Sequence, residues 1–90
     1  MELKRVVITG LGAITPIGKN VEDYWSALLA GVSGAAPITN FDSSKFKTKF
    51  ACEVKDYDAK EYFDRKEARK HDRYAQFGLI AGYEAITDSG

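Results

Sequence analysis

The stretch VVITGLGAITPIGKN, Val6 to Asn20, decides how the chain is read. An apolar, β-branched run enters a glycine-rich turn, and a helical pattern follows. RVVITGL (5–11) lacks polar–apolar alternation, which predicts a strand buried on both faces, as in a parallel sheet. A glycine-rich turn between strand and helix is also where phosphates bind. The dinucleotide pattern G-x-G-x-x-G is met by Gly10 and Gly12 only; Thr15 holds the third position and Pro16 follows. A helix begun at Gly12 would carry Pro16 inside it, where proline lacks the N–H and clashes with the preceding turn. The phosphate-loop pattern G-x-x-x-x-G-K-[ST] fails as well. Five residues, not four, separate Gly12 from Gly18, and Asn20 replaces the hydroxyl residue. The glycines are expected to permit tight turning and close backbone packing rather than to cradle a phosphate.

Working outward, Asn20 is placed to cap a helix, and Glu22 and Asp23 suit its positive end. Val21, Tyr24, Trp25, Leu28 and Leu29 fall on one helical face, and Gly31 suits the position after the cap. Residues 32–46 are turn-rich and read as irregular. KFACEV (49–54) alternates, predicting a short strand with Phe50, Cys52 and Val54 on one side. There Cys52 serves as a small hydrophobe. DAKEYF (58–63) reads as a short helix or single turn. From Arg65 the pattern is helical, with Asp72 capping a further helix toward Gly90. On that last helix Ala75, Gly78, Gly82 and Ala85 lie near one stripe, and Phe77, Leu79, Ile80, Tyr83 and Ile86 cover much of the rest. Glycines inside a helix are tolerable where another backbone packs closely. A helix so apolar and a two-sided strand both need covering layers. The chain therefore reads as the opening of a larger α/β domain, one that alone would expose Val6–Thr9 and Phe77–Ile86.

The 90 residues include 13 basic and 13 acidic side chains, which argues against a general nucleic-acid binder. An apolar fraction of 44% is that of a folded protein. A single cysteine forbids an internal disulfide and suggests a reducing compartment. Neither a signal peptide nor an apolar run of about 18 residues is seen, so a cytoplasmic location without membrane insertion is expected. Cys52 and His71 could be imagined as a thiolate–imidazole pair. Cys52 is better read as strand packing and His71 as a surface residue in a charged run.

RKEARKHDR, Arg65 to Arg73, is the most informative polar stretch, with five cations and two carboxylates. Read as one continuous helix, it sets Arg65, Lys66, Arg69, Lys70 and Arg73 within an arc of about 140°. Three readings fit: a solvated face, a docking surface for an acidic partner, and a nucleic-acid stripe. The last is weakened because no aromatic residue is interleaved to stack bases.

VVITGLGAITPIG, W..LLAG.SG and DRKEARK.D...Q.G, in this order and spacing, resemble the N-terminal segment of the β-ketoacyl-[acyl-carrier-protein] synthases, and the third block favours the type II enzymes. The resemblance runs almost end to end. It implies the N-terminal part of a thiolase-like layered α/β/α/β/α fold, with residues 1–90 an incomplete domain. It implies a homodimeric condensing enzyme of fatty acid elongation. Such enzymes load an acyl chain onto a cysteine, decarboxylate malonyl-carrier protein and join the carbanion to the acyl group. No cofactor is implied beyond the carrier's phosphopantetheine arm. The family's nucleophilic cysteine, two histidines and lysine match no position here, so no catalytic residue is expected in the segment, which alone should be inactive. The positions that do match are Lys66, Arg69 and Lys70, which in the family contribute to docking the acidic carrier protein. His71 stands where relatives often have methionine. The competing reading is a stand-alone, non-enzymatic module that binds an acidic protein partner.

Overall fold

The computed structural model describes residues 2–90. Helix α1 spans Val21–Leu29, and its cap is the one expected: the Asn20 side chain accepts the Asp23 N–H at 2.8 Å. It ends in a Schellman turn. Gly31 N–H donates to Leu28 O and Val32 N–H to Ala27 O, with Gly31 at φ 72°, the left-handed conformation that glycine adopts without strain. Before α1, Thr15–Gly18 closes a four-residue turn around Pro16 through a backbone pair and the Thr15 hydroxyl. A two-stranded antiparallel sheet follows, β1 (Ala35–Pro37) and β2 (Phe50–Cys52), in the register Ala35–Cys52, Ala36–Ala51, Pro37–Phe50. A single 3-10 turn at Ala59–Glu61 precedes α2 (Arg65–Lys70) and the long α3 (Arg73–Ser89).

Two sequence expectations are corrected here. Residues 32–46 contain β1, which a proline in the run concealed; an edge strand tolerates Pro37 because its missing N–H faces away from the ladder. Conversely, the strand expected over 5–11 has no ladder partner among the described residues. Val6, Val7 and Ile8 are 87, 62 and 82% exposed. A two-sided strand needs neighbours at its edges and layers on both faces, and none of the described elements lies there.

The same shortage runs through the chain. Its radius of gyration is 16.6 Å, where a closed domain of this length has about 12 Å. Its accessible surface is 7523 Å², against about 5,200 Å² for a folded protein of 10.0 kDa. Among the described residues no apolar side chain is fully buried, and Tyr83 and Ile86 of α3 stand open as expected. Partly covered residues cluster where the 10–20 segment crosses α3.

That crossing is backbone on backbone. A Cβ at Gly12 would lie 1.8 Å from Ala81 O, and one at Gly10 2.1 Å from Ala85 O. The close approach anticipated on the last helix is thus real, but loop glycines permit it. Gly78 and Gly82 of α3 meet nothing within 4 Å. Because the obstacle at Gly12 is a carbonyl and not a flexible side chain, Gly12→Ala should destabilise the protein by about 2 kcal/mol or more. A lowered denaturant midpoint is the expected reading, and an unchanged one contradicts the contact.

The β1–β2 connection is tied by one carboxylate. Glu53 accepts Thr39 N–H and Thr39 O–H through Oε1 and Asn40 N–H through Oε2. The Thr39 amide chiefly holds its carboxyl below the usual 4.5, with partial desolvation opposing and the Thr39 hydroxyl, Asn40 amide and Lys55 assisting. A depressed carboxyl contributes order above its ordinary value and loses it as pH falls through the lowered one. The Thr39 amide resonance should therefore titrate with a midpoint below 4.5; a midpoint at or above it would show the bonds do not persist in solution.

Candidate functional site

The glycine loop and the basic run were the two candidates, and the geometry separates them. Leu11 N–H donates to Asp88 Oδ2 at 3.0 Å, and Ala13 N–H to Glu84 Oε1 at 2.9 Å. The other oxygen of Glu84 accepts Val21 N–H at 3.0 Å. Val21 is the first residue of α1, so a carboxylate from α3 already occupies that helix's positive end. The amides a phosphate would need are given to two side chains one helical turn apart on α3. Glycine spacing drew attention to the loop; nothing in its own sequence announces Glu84 and Asp88, which are 71 and 77 residues from the amides they bind.

The basic run is presented as a surface. Asp64 caps α2, accepting Glu67 N–H at 2.8 Å, and Arg65, Lys66, Arg69 and Lys70 are all exposed on that helix. A new helix starts after Asp72, as its capping position suggested, so the continuous helix on which the five-cation arc depends does not form. His71 is extended (φ −122°, ψ 136°) and so is Asp72, so Arg73 opens α3 instead. Its guanidinium lies 5.3 Å from the centre of the Tyr57 ring, and Nη1 donates to Asn40 Oδ1 at 3.4 Å. The face therefore holds four cations rather than five. One carboxylate tempers them: Glu67 sits 3.4 Å from Lys70 Nζ and 3.8 Å from His71 Nε2. Exposed pairs of this kind contribute little to stability, so the cations are free to meet a partner.

Behind this face lies Gln76, 6% exposed and the one buried residue among those described. Its Nε2 donates to Ala68 O at 2.9 Å and to His71 O at 3.0 Å, two carbonyls at the end of α2. Its Oε1 accepts the Tyr57 O–H. The Tyr57 ring packs edge-on against Phe77, with centres 4.9 Å apart, and lies beside Tyr62 at 5.9 Å. Burial raises the Tyr57 phenol above its usual 10.0, while the Arg73 charge pulls the other way. The motif DRKEARK.D...Q.G contained this glutamine; its buried role could not be read without knowing that α2 breaks at His71.

Cys52 and His71 do not form a site. Cys52 is exposed on β2, whose half-buried member is Ala51, so its packing role is also corrected: the alternation is present, with the opposite face inward. His71 is partly covered, its ring 6.5 Å from Phe63.

Residues 3–90 match the model of the β-ketoacyl synthase N-terminal domain. The chain belongs to that family. It is 52% identical over 89 residues to a 3-oxoacyl-[acyl-carrier-protein] synthase 2 of Synechocystis, covering 99% of this chain and 21% of that protein. It is 49% identical over 90 residues to the synthase of that name from Vibrio harveyi, covering all of this chain and 22% of that one. Among solved structures, the ishigamide ketosynthase/chain length factor aligns with a TM-score of 0.82 at 39% identity, over 93% of this chain and 21% of its own. The segment thus spans about a fifth of the proteins it resembles. Its fold is the N-terminal part of the layered α/β ketosynthase fold, as the resemblance implied. No described helix is long and apolar enough to cross a membrane.

Glu84→Gln tests the reading of the loop. An amide offers one acceptor where two N–H donors now meet a carboxylate, and turns its NH2 toward the other. The expected loss is about 1–3 kcal/mol of stability, read as a lower unfolding midpoint. An unchanged midpoint would mean that the loop amides do not depend on this carboxylate.

Proposed function

We propose that this segment belongs to a condensing enzyme that elongates acyl chains on a carrier protein, and that it supplies scaffold and a docking face rather than catalytic residues. The observation that carries the second half is α2 itself: four exposed cations on a capped six-residue helix, with a single carboxylate among them. The two relatives support the first half, since each is named a 3-oxoacyl-[acyl-carrier-protein] synthase. In this reading the whole enzyme loads an acyl group onto a cysteine. It then decarboxylates a malonyl thioester on the carrier and joins the resulting carbanion to the acyl group. The cysteine, histidines and lysine of that chemistry match no residue of the segment. The only prosthetic group is the substrate's own phosphopantetheine arm.

Lys66, Arg69 and Lys70 are assigned to docking, with Arg65 beside them. An acidic carrier would be steered toward this face and oriented by it. A cytoplasmic homodimer, of which residues 1–90 form part of one domain, completes the proposal. The exposed apolar surface of α3 and of residues 6–8 agrees with covering layers contributed by the rest of such a domain.

The test is charge reversal in the full-length enzyme. Lys66→Glu, Arg69→Glu and Lys70→Glu combined should weaken carrier-protein binding by about tenfold or more, mainly through slower association. Wild-type binding should weaken as salt is raised, and the variant should respond much less. Unchanged affinity in the variant would remove the docking assignment and leave the scaffold reading intact.

A further inference from the structure

We propose that Gln76 is a positioning residue for carrier-protein docking, fixing the angle at which α2 presents its basic face. The proposal rests on the docking role of Lys66, Arg69 and Lys70 given above. Six residues are too few for a helix to hold itself in water, so α2 depends on its ends and on what it touches. Its N-terminus is secured locally by Asp64, three residues before Glu67. Its C-terminus has no local device. The chain leaves through His71 and Asp72, both extended, and Asp72 makes no side-chain cap to α3. Two extended residues act as a joint; α2 also rests against the 3-10 turn at Ala59–Glu61, and what spans the joint sets its angle to α3.

Gln76 spans it. From the first turns of α3 its one NH2 group reaches Ala68 O inside α2 and His71 O in the joint. Both N–H donors are used, and Oε1 takes the Tyr57 hydroxyl, which fixes which way the amide faces. Tyr57 is itself held between Phe77 and Tyr62, with Arg73 over its ring. The joint is therefore bridged by a buried side chain with three hydrogen bonds, anchored in an aromatic cluster, and such networks favour one arrangement. Removing the bridge leaves every docking charge in place and frees the helix that carries them. A swivelling face must be ordered on binding, which lowers affinity for a large partner. It should matter far less to a small substrate that never touches α2.

The experiment compares two substrates of one chemistry in the full-length enzyme: an acyl thioester on carrier protein and the same thioester on a short pantetheine analogue. Gln76→Glu keeps shape and removes both donors, setting an oxygen against two carbonyls. We expect KM for the carrier-linked substrate to rise about five- to tenfold, with kcat at saturating carrier retained and the carrier-linked to carrier-free activity ratio falling by the same factor. Tyr57→Phe removes only the bond that orients the amide, and should give the same split at smaller amplitude. That milder variant decides the matter if Gln76→Glu does not fold. An unchanged KM, or losses that move both substrates in step, would overturn the positioning role and leave the docking face standing. If the triple charge reversal leaves KM unchanged, the docking reading fails, and this inference fails with it.

Discussion

The seating of the glycine loop and of α1 depends on two carboxylates of α3. Glu84 and Asp88, one turn apart, take the backbone N–H groups of Leu11, Ala13 and Val21. In one stroke they seat the glycine loop on α3 and cap α1 from outside its own sequence. The bonds can form only because Gly10 and Gly12 let loop and helix backbones approach to contact distance. Charge and sterics are thus coupled: without the glycines the carboxylates could not reach the amides, and without the carboxylates the amides would be left partly buried and unpaired. A chain with no apolar core among its described residues is organised instead by polar groups reaching across long sequence separations.

The local rules of the chain were legible and the long-range ones were not. Asn20 at the start of α1, Gly31 at its end and the alternating Phe50–Cys52 are choices governed by neighbours within a few residues, and the sequence displays them. The break at His71 is different. Asp72 marks a new helix start, but nothing in RKEARKHDR shows how the chain turns between the two helices. The chain turns because Gln76 and Tyr57 stabilise the turned arrangement, and only the fold brings those residues together. The strand expected over 5–11 illustrates the reverse case. Its pattern points to covering on both faces, and among the described residues neither a ladder nor those covering layers are present.

The break changes what the basic run means. As one helix it would have been a stripe of five cations, equally suited to a solvated face or a polyanion. Divided, it assigns Arg73 to the Tyr57 ring and to Asn40, as an internal tie, and leaves a compact group on α2. A compact group of four cations on a short, separately held helix can match the acidic surface of one protein domain. The division of labour between Arg73 and its neighbours follows from geometry that composition and spacing could not supply.

The helix proposed to receive a partner is consequently separable from the rest of the chain: α2 lies on the far side of the Gln76 joint from α3. Were α2 simply the first turns of α3, its basic face would be fixed rigidly to the helix whose Glu84 and Asp88 hold the glycine loop. The joint, bridged by one buried amide, lets the docking face be specified by a few polar contacts while the packed part of the segment is specified by others. The two are coupled at Gln76, where both donors and the acceptor are committed, and a change of chemistry at that one position would reach the fold and the docking face together.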